Sequence, residues 1–334
     1  MISFRSIHEL FFQLTSFLKR HRKPLQISFG ALLIILGLTH YFFFSAPRTF
    51  KPDTLLKIKA GLSVGEVANL LKEKGLIRSE IAFKAFMRLP IIGTEVIAGD
   101  YSFDKPLPVF ILARRVSHGL FDLEMIKVTV LEGTSVNGVS AVLDKNLKFF
   151  DREVFFNLAS SSEGYLFPDT YLLSPIASEE EIKKIMEDNL FKKMLSLKSK
   201  IILSGRTNHE ILTMASLLEK EASIYEDRQL IAGILWKRLD EDMLLQVDAV
   251  FPYFLPRNTF TVTKKDLKYD SPYNTYKYKG LPPTPITNPG LEAIKAAIDY
   301  TPSDYYYYLA DGDGVTHYAE TYKEHLANAR KYLK

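Results

Sequence analysis

Two carboxylates, Glu219 and Glu221, stand inside the apolar run ILTMASLLEKEAS of residues 211–223. An acid set among apolar residues loses hydration, so it marks a place where its charge or its proton is used. A glutamate whose pKa is lifted by such surroundings can serve as a general acid at neutral pH. At ~100° per residue along a helix, Ile211, Ala215, Leu218 and Ala222 form one apolar stripe, with Leu212 beside it. Glu219 falls between Ala215 and Leu212 in angle, at the inner edge of that face. Glu221 lies roughly 160° away, between Met214 and Leu217. The pair therefore cannot converge on one atom as a glycosidase acid and nucleophile. At most one is catalytic, and the other is read as a salt-bridge or hydrogen-bond partner. His209-Glu210 opens like a helical zinc-protease motif, but Thr213 stands where the second histidine belongs, so that chemistry is excluded.

The elements that must position these acids can be read from caps and periodicity. Thr207 followed by Glu210 is a capping box, so the helix starts at Asn208. A second helix spans 227–240, with Leu230, Ile231, Ile234, Leu235 and Leu239 as its apolar residues. Met243 to Tyr253 reads as extended, with Gln246 and Asp248 among apolar neighbours. Residues 269–289, rich in Tyr, Asn, Gly and Pro, form a long loop, the kind that carries function in a compact domain. A helix then runs from Gly290 or Leu291 to Ile298. A hairpin turns at Asp311-Gly-Asp-Gly314, and a helix from Tyr322 to Leu333 closes the chain. Upstream, Glu163-Gly-Tyr165-Leu-Phe167-Pro-Asp169-Thr-Tyr171 suits a sugar-cleft wall or a packed corner, and its composition favours the corner. Ser178 with Glu181 caps an amphipathic helix reaching Leu195.

A strand–glycine–helix pattern occurs twice: Ile58-Lys-Ala-Gly61-Leu-Ser63 and Val130-Leu-Glu-Gly133-Thr-Ser135, each serine acting as an N-cap. Between the copies lie a helix at 79–88, a strand at Gly99–Phe103 and a helix at 109–118. This small α+β module is either a glycan binder or a spacer.

Before it, residues 25–46 carry no Asp, Glu, Lys or Arg, a length sufficient to span a bilayer as a helix. Lys19-Arg20-His21-Arg22-Lys23 precedes them, so the N-terminus is expected in the cytoplasm and the body outside. A cleaved signal peptide and a buried core helix are the rival readings; Phe44 spoils a small-residue cleavage site. Residues 1–18 are amphipathic and suit the inner membrane face. The net charge of +4 resides before residue 47, and the balanced remainder argues against nucleic-acid binding. With no cysteine, disulfides and thiolate metal sites are excluded.

Several motifs in one order resemble the endolytic murein transglycosylase, or YceG-like, family over nearly the whole chain. They are Glu163-Gly-Tyr-Leu-Phe-Pro-Asp-Thr-Tyr171, Ala215-Ser-Leu-Leu-Glu-Lys-Glu221, Arg238-Leu239, Met243-Leu-Leu-Gln246 with Asp248, Ser271-Pro-Tyr-Asn-Thr-Tyr276, Gly280-Leu-Pro-Pro283 and Asn288-Pro-Gly290. The chain departs from the family pattern at Lys237 and at Val247-Asp248-Ala249-Val250.

The resemblance implies an α+β protein: a cytoplasmic tail (1–24), a single N-terminal transmembrane helix (25–46), a LysM-like module (47–125) and a mixed α+β catalytic domain (126–334). It implies a bacterial cytoplasmic-membrane location with the catalytic domain outside. It implies cleavage of the MurNAc-β-1,4-GlcNAc bond of peptidoglycan to a 1,6-anhydro end, with no cofactor and no metal. Glu219 is the expected acid and then base. Glu163, Tyr165, Phe167, Gln246, Asp248, Tyr273, Asn274 and Tyr276 are the expected substrate contacts. Glycan strands and peptidoglycan synthases are the expected partners. The alternatives are a non-catalytic, membrane-anchored peptidoglycan-binding scaffold, and a hydrolase using Asp248 as its second carboxylate.

Overall fold

The computed structural model describes residues 22–41, 45–255 and 262–333. The chain divides into two compact units, Met1–Glu124 and Met125–Lys334. The amphipathic segment expected at 1–18 lies outside the described residues.

The first unit begins with α1 (Arg22–Thr39). Ile27, Phe29, Ile34, Ile35 and Leu36 on this helix are each more than half exposed. Among the described residues no helix is long and apolar enough to cross a membrane. The span expected over 25–46 is thus not met as a single helix: α1 includes Arg22 and Lys23 and stops at Thr39, and residues 42–44 are outside the description.

Next come β1 (Thr54–Ile58), α2 (Val64–Glu73), α3 (Glu80–Phe86), β2 (Gly99–Phe103) and α4 (Val109–His118). The two strands pair antiparallel, Thr54 opposite Phe103 and Ile58 opposite Gly99. Their alternate residues Leu56, Ile58, Tyr101 and Phe103 point into a core with Val67, Leu71 and Phe83. This burial of every second strand residue against helix faces gives the unit a core of its own.

The second unit contains β3 (Ile126–Thr129), α5 (Val136–Asn146), α6 (Arg152–Ala159), β4 (Thr170–Leu173), α7 (Glu179–Ser204) and α8 (Asn208–Glu221). There follow α9 (Tyr225–Asp240), the single turn α10 (Phe251–Phe254), α11 (Leu291–Ile298), β5 (Tyr307–Ala310), β6 (Thr316–Ala319) and α12 (Tyr322–Tyr332). β3 pairs with β4 and β5 with β6, both antiparallel. The whole is α+β, with its strands in two-stranded ribbons.

α8 is the axis of this unit, packed against α9 and α11. Every residue from Ile211 to Leu218 is buried. The helix therefore has no single inner stripe: an all-round apolar helix sits in the middle of a core. Its start is the expected capping box, with Thr207 Oγ1 accepting from the Glu210 N–H. Beside it, the Trp236 Nε1–H donates to the Ala297 carbonyl and ties α9 to α11.

Both copies of the repeat fold as strand, left-handed glycine and serine-capped helix, with φ of 86° at Gly61 and 72° at Gly133. Each strand finds its own partner, so the pattern is a local device used twice. Two boundaries differ from expectation. α7 continues past Leu195 to Ser204, because its apolar residues Leu197 and Ile201 still meet the core. Residues 248–254 are helical turns, with Pro252 in the first turn where its missing N–H costs nothing.

Candidate active site

α8 ends at Glu221, because Ala222 leaves the helical region at φ −147°, ψ 150°. This delivers Glu219 and Glu221 to opposite sides of the helix terminus. Glu219 Oε1 forms a 2.7 Å ion pair with Arg228 Nη2, and both side chains are only 6% exposed. Glu219 Oε2 accepts from the Gly290 N–H at 2.8 Å. Both oxygens are thus engaged by groups fixed on α9 and at the start of α11, and Glu219 does not line the cleft described next.

Glu221 does line it. A cavity of about 640 Å³ is bounded by Gly133, Val136, Glu163, Glu221, Asp248, Tyr253 and Thr287. A second, of about 470 Å³, is bounded by Glu221, Arg238, Gln246, Asp248, Tyr276 and Tyr308. The two share Glu221 and Asp248, so these carboxylates stand at the waist of a two-lobed groove. Each lobe is of ligand-binding size.

Burial pushes the Glu221 carboxyl up from 4.5 to about 7, and the nearby Asp248 charge adds to the rise. Hydrogen bonds from the Tyr308 hydroxyl (2.9 Å to Oε2) and the Ala249 N–H oppose it. Both donors favour the charged form, and desolvation outweighs them. The result is a carboxyl that holds a proton near neutrality and faces a cavity, the condition for a general acid.

A second carboxyl in the groove, Glu163, is also raised to about 7 by burial. It is 7% exposed and accepts from the Val136 N–H at 3.1 and 3.2 Å, capping α5 from a distance in sequence. Asn288 Nδ2 approaches it at 3.4 Å.

The other expected contacts divide. Gln246 lines the Tyr308-side lobe and holds φ +52°, an unusual conformation for a residue with a side chain. The strain is held by backbone pairing: the Gln246 N–H donates to the Thr275 carbonyl, and the Val247 N–H to Thr275 Oγ1. Asp248 is exposed and accepts from the Tyr276 hydroxyl at 2.6 Å.

Tyr273 stands behind the wall, its hydroxyl on Thr284 Oγ1 and its ring 4.9 Å from that of Tyr253, which does line the groove. Tyr165 hydrogen-bonds His209 Nδ1, whose Nε2 faces the Pro283 carbonyl, and Phe167 is 5% exposed within the core. These two form the packed corner that their composition favoured. Asn274 is fully buried and donates to the carbonyls of Asp266, Leu267 and Tyr269, so its amide shapes the long loop.

Residues beyond the expected set complete the site. Asn288 joins three segments: its Oδ1 accepts from the Leu166 N–H, its Nδ2 donates to the Thr134 carbonyl, and its own carbonyl accepts from the Gly133 N–H. Tyr308 and Arg238 are the others, and neither stood out by spacing. Asn288 and Arg238 stand in motifs that carry the family resemblance, which is the signal that could have found them, and Tyr308 is one tyrosine in a run of four. Among the described residues no group of three or more His, Cys, Asp or Glu side chains is placed to hold a metal ion.

Comparison with known proteins gives a consistent result. Residues 56–331 match the YceG-like family. The chain is 32% identical over 310 residues to an endolytic murein transglycosylase of Bacillus subtilis (strain 168), covering 85% of this chain and 86% of that one. It is 28% identical over 371 residues to an endolytic murein transglycosylase of Streptococcus pneumoniae serotype 2 (strain D39 / NCTC 7466), covering 94% of this chain and 66% of the relative's length. A crystal structure of a YceG-like protein from Listeria monocytogenes superposes with a TM-score of 0.56 at 27% identity, covering 83% of this chain and 99% of that one.

Proposed function

The chain belongs to the YceG-like family, and from that premise we propose that it is a lytic transglycosylase that cuts peptidoglycan glycan strands within their length, with Glu221 as the acid and base. The observation that carries the assignment is one carboxyl, raised to about 7, at the waist of a two-lobed groove. A glycan strand bound through the groove would have its sugars in the two lobes and its scissile bond at the waist.

Glu221 gives its proton to the glycosidic oxygen as the bond to the MurNAc anomeric carbon breaks. Positive charge then develops on the ring, and the carboxylate of Asp248 offsets it. The MurNAc 6-hydroxyl oxygen closes on the anomeric carbon, and its proton passes to the Glu221 carboxylate. The products are a 1,6-anhydro end and a free 4-hydroxyl, and no water is consumed. Tyr308 holds the carboxyl in place through both transfers. The family resemblance implied Glu219 for this role; its two oxygens are taken by Arg228 and Gly290, and we assign it to holding α8, α9 and α11 together.

The full chain incubated with isolated sacculi is expected to release muropeptides with anhydro ends, read by mass spectrometry. Glu221→Gln is expected to release none while melting no lower than the parent. Reducing ends would instead identify a hydrolase, for which Asp248 beside Glu221 supplies the second carboxylate. Binding to sacculi without release would identify a scaffold.

We place the protein at the bacterial cytoplasmic membrane with the catalytic unit outside. Residues 25–46 serve as anchor, and residues 47–125 as a LysM-like glycan-binding module. The basic cluster before residue 25 and the exposed apolar side chains of α1 support this. A strand cut near the membrane would place peptidoglycan synthases among its neighbours. Recovery of the full chain in the soluble fraction after cell lysis would overturn the anchoring.

A further inference from the structure

The lobe of the groove beyond Glu221 contains a cation with no ion-pair partner among the described residues. Arg238 is 4% exposed. Its Nε donates to the Tyr306 carbonyl and its Nη1 to the Leu245 carbonyl, both at 2.8 Å, and its guanidinium lies 5.0 Å from the Tyr307 ring centroid. Neutral carbonyls and a ring face hold the group but do not balance its charge, and among the described residues no carboxylate pairs with it. Nη2 is left without an acceptor among the described residues, in a residue that lines the cavity. A buried guanidinium is costly to leave unpaired. His325 lines the same cavity, with its ring packed on Tyr307. Its Nδ1 is buried and has no hydrogen-bond partner.

Two residues, each with a nitrogen that no group among the described residues satisfies, therefore border one cavity. The two acids that line that lobe are engaged elsewhere: Asp248 accepts from the Tyr276 hydroxyl and Glu221 from the Tyr308 hydroxyl.

We propose that Arg238 and His325 form a carboxylate-binding subsite in the Tyr308-side lobe, which takes an acidic group of the substrate strand and fixes which sugar meets Glu221. The planar fork of an arginine suits a carboxylate. The inference rests on the transglycosylase reading. It adds a specificity element, because a MurNAc residue differs from its GlcNAc neighbour in bearing a lactyl group that ends in a carboxyl function, free or extended by peptide.

The test measures binding and cleavage separately. The Glu221→Gln full chain is titrated calorimetrically with three defined strands. The first has free carboxylates on its peptides, the second has the same peptides fully amidated, and the third is peptide-free with exposed lactyl carboxylates. At least tenfold weaker binding of the amidated strand is expected. Tight binding of the third strand would identify the lactyl group as the source; weak binding would identify the peptide. Arg238→Gln in the same background is expected to abolish the discrimination. So is His325→Phe, which keeps the ring packing and removes no side-chain hydrogen bond of Nδ1, should Arg238→Gln fail to fold. Equal affinity for free and amidated strands would overturn the subsite, whatever the activity. Discrimination by the protein without any cleavage by unsubstituted Glu221 would leave the subsite standing and overturn the reaction.

Discussion

Glu219 and Glu221 are separated by a single residue and have opposite surroundings, and their variants should separate cleanly. Glu219→Gln keeps an acceptor for the Gly290 N–H but leaves the Arg228 guanidinium, 6% exposed, without its charge partner. A loss of about 2 kcal/mol in stability is expected, with cleavage per folded molecule close to that of the parent. Glu221→Gln should show the reverse. Thermal melts run beside the sacculus assay check both.

Tyr308 offers a finer probe, because its hydrogen bond lowers a carboxyl that burial raises. Cleavage needs Glu221 protonated at the outset, so kcat/KM should fall as pH rises through about 7. Tyr308→Phe removes a bond that favours the charged form, so that alkaline limb should move to higher pH. A profile unchanged in Tyr308→Phe would show that the hydroxyl does not act on the proton donor.

At the scale of elements, the site depends on how α8 meets the second strand–glycine–helix turn. Gly133 holds φ +72°, and a Cβ there would meet Lys220 Nζ at 2.9 Å and Glu219 Cγ at 3.2 Å. Gly164 is tighter still: at φ +84° its Cβ would lie 2.3 Å from the Pro285 ring. These positions let the 131–136 turn and the 163–167 segment close on α8 and the long loop. Asn288 fastens them. Asn288→Ala would strand the buried Leu166 N–H, while the Thr134 carbonyl keeps the bond from the backbone N–H of residue 288, for a cost of about 1–3 kcal/mol. Denaturant unfolding should register this as a lower midpoint with an unchanged slope. Cleavage should also decline, because Glu163 and the start of α5 share the same fastening.

Over the whole molecule, the two raised carboxyls make stability depend on pH. Glu163 and Glu221 each titrate near 7 when folded, against 4.5 ordinarily. Below about 4.5 both are protonated in the folded and unfolded chains alike, and the stability they permit is fully present. Between 4.5 and 7 the unfolded chain releases protons that the folded one keeps, so stability falls as pH rises and levels off above 7. Glu221→Gln removes one of these groups. At pH 8 the variant should melt about 3 °C or more above the parent, with the difference vanishing at pH 4. A site that is less stable in the form with a vacated proton is the ordinary cost of a poised acid.

Much of this architecture is written in local patterns, and the sequence alone determined it. The caps at Ser63, Ser135, Ser178 and Thr207, the left-handed glycines and the strand alternation act within a few residues of one another. They fix where helices and strands begin whatever surrounds them. Motif order along the chain was equally legible and led to the family that residues 56–331 match.

Tertiary structure decided which acid faces the groove. The stripe that set Glu219 at the edge of the core face assumes that one side of the helix is core and the other solvent, and α8 is buried on both. Only the neighbours then distinguish the two carboxylates. Arg228 is nine residues on, but Gly290 is 71 and Tyr308 is 87 residues away from the glutamates they contact. The pKa of Glu221 is likewise a property of packing, because desolvation depends on atoms that the fold brings in from all sides. A helical wheel gives the angle between two side chains, and the fold supplies what each one meets.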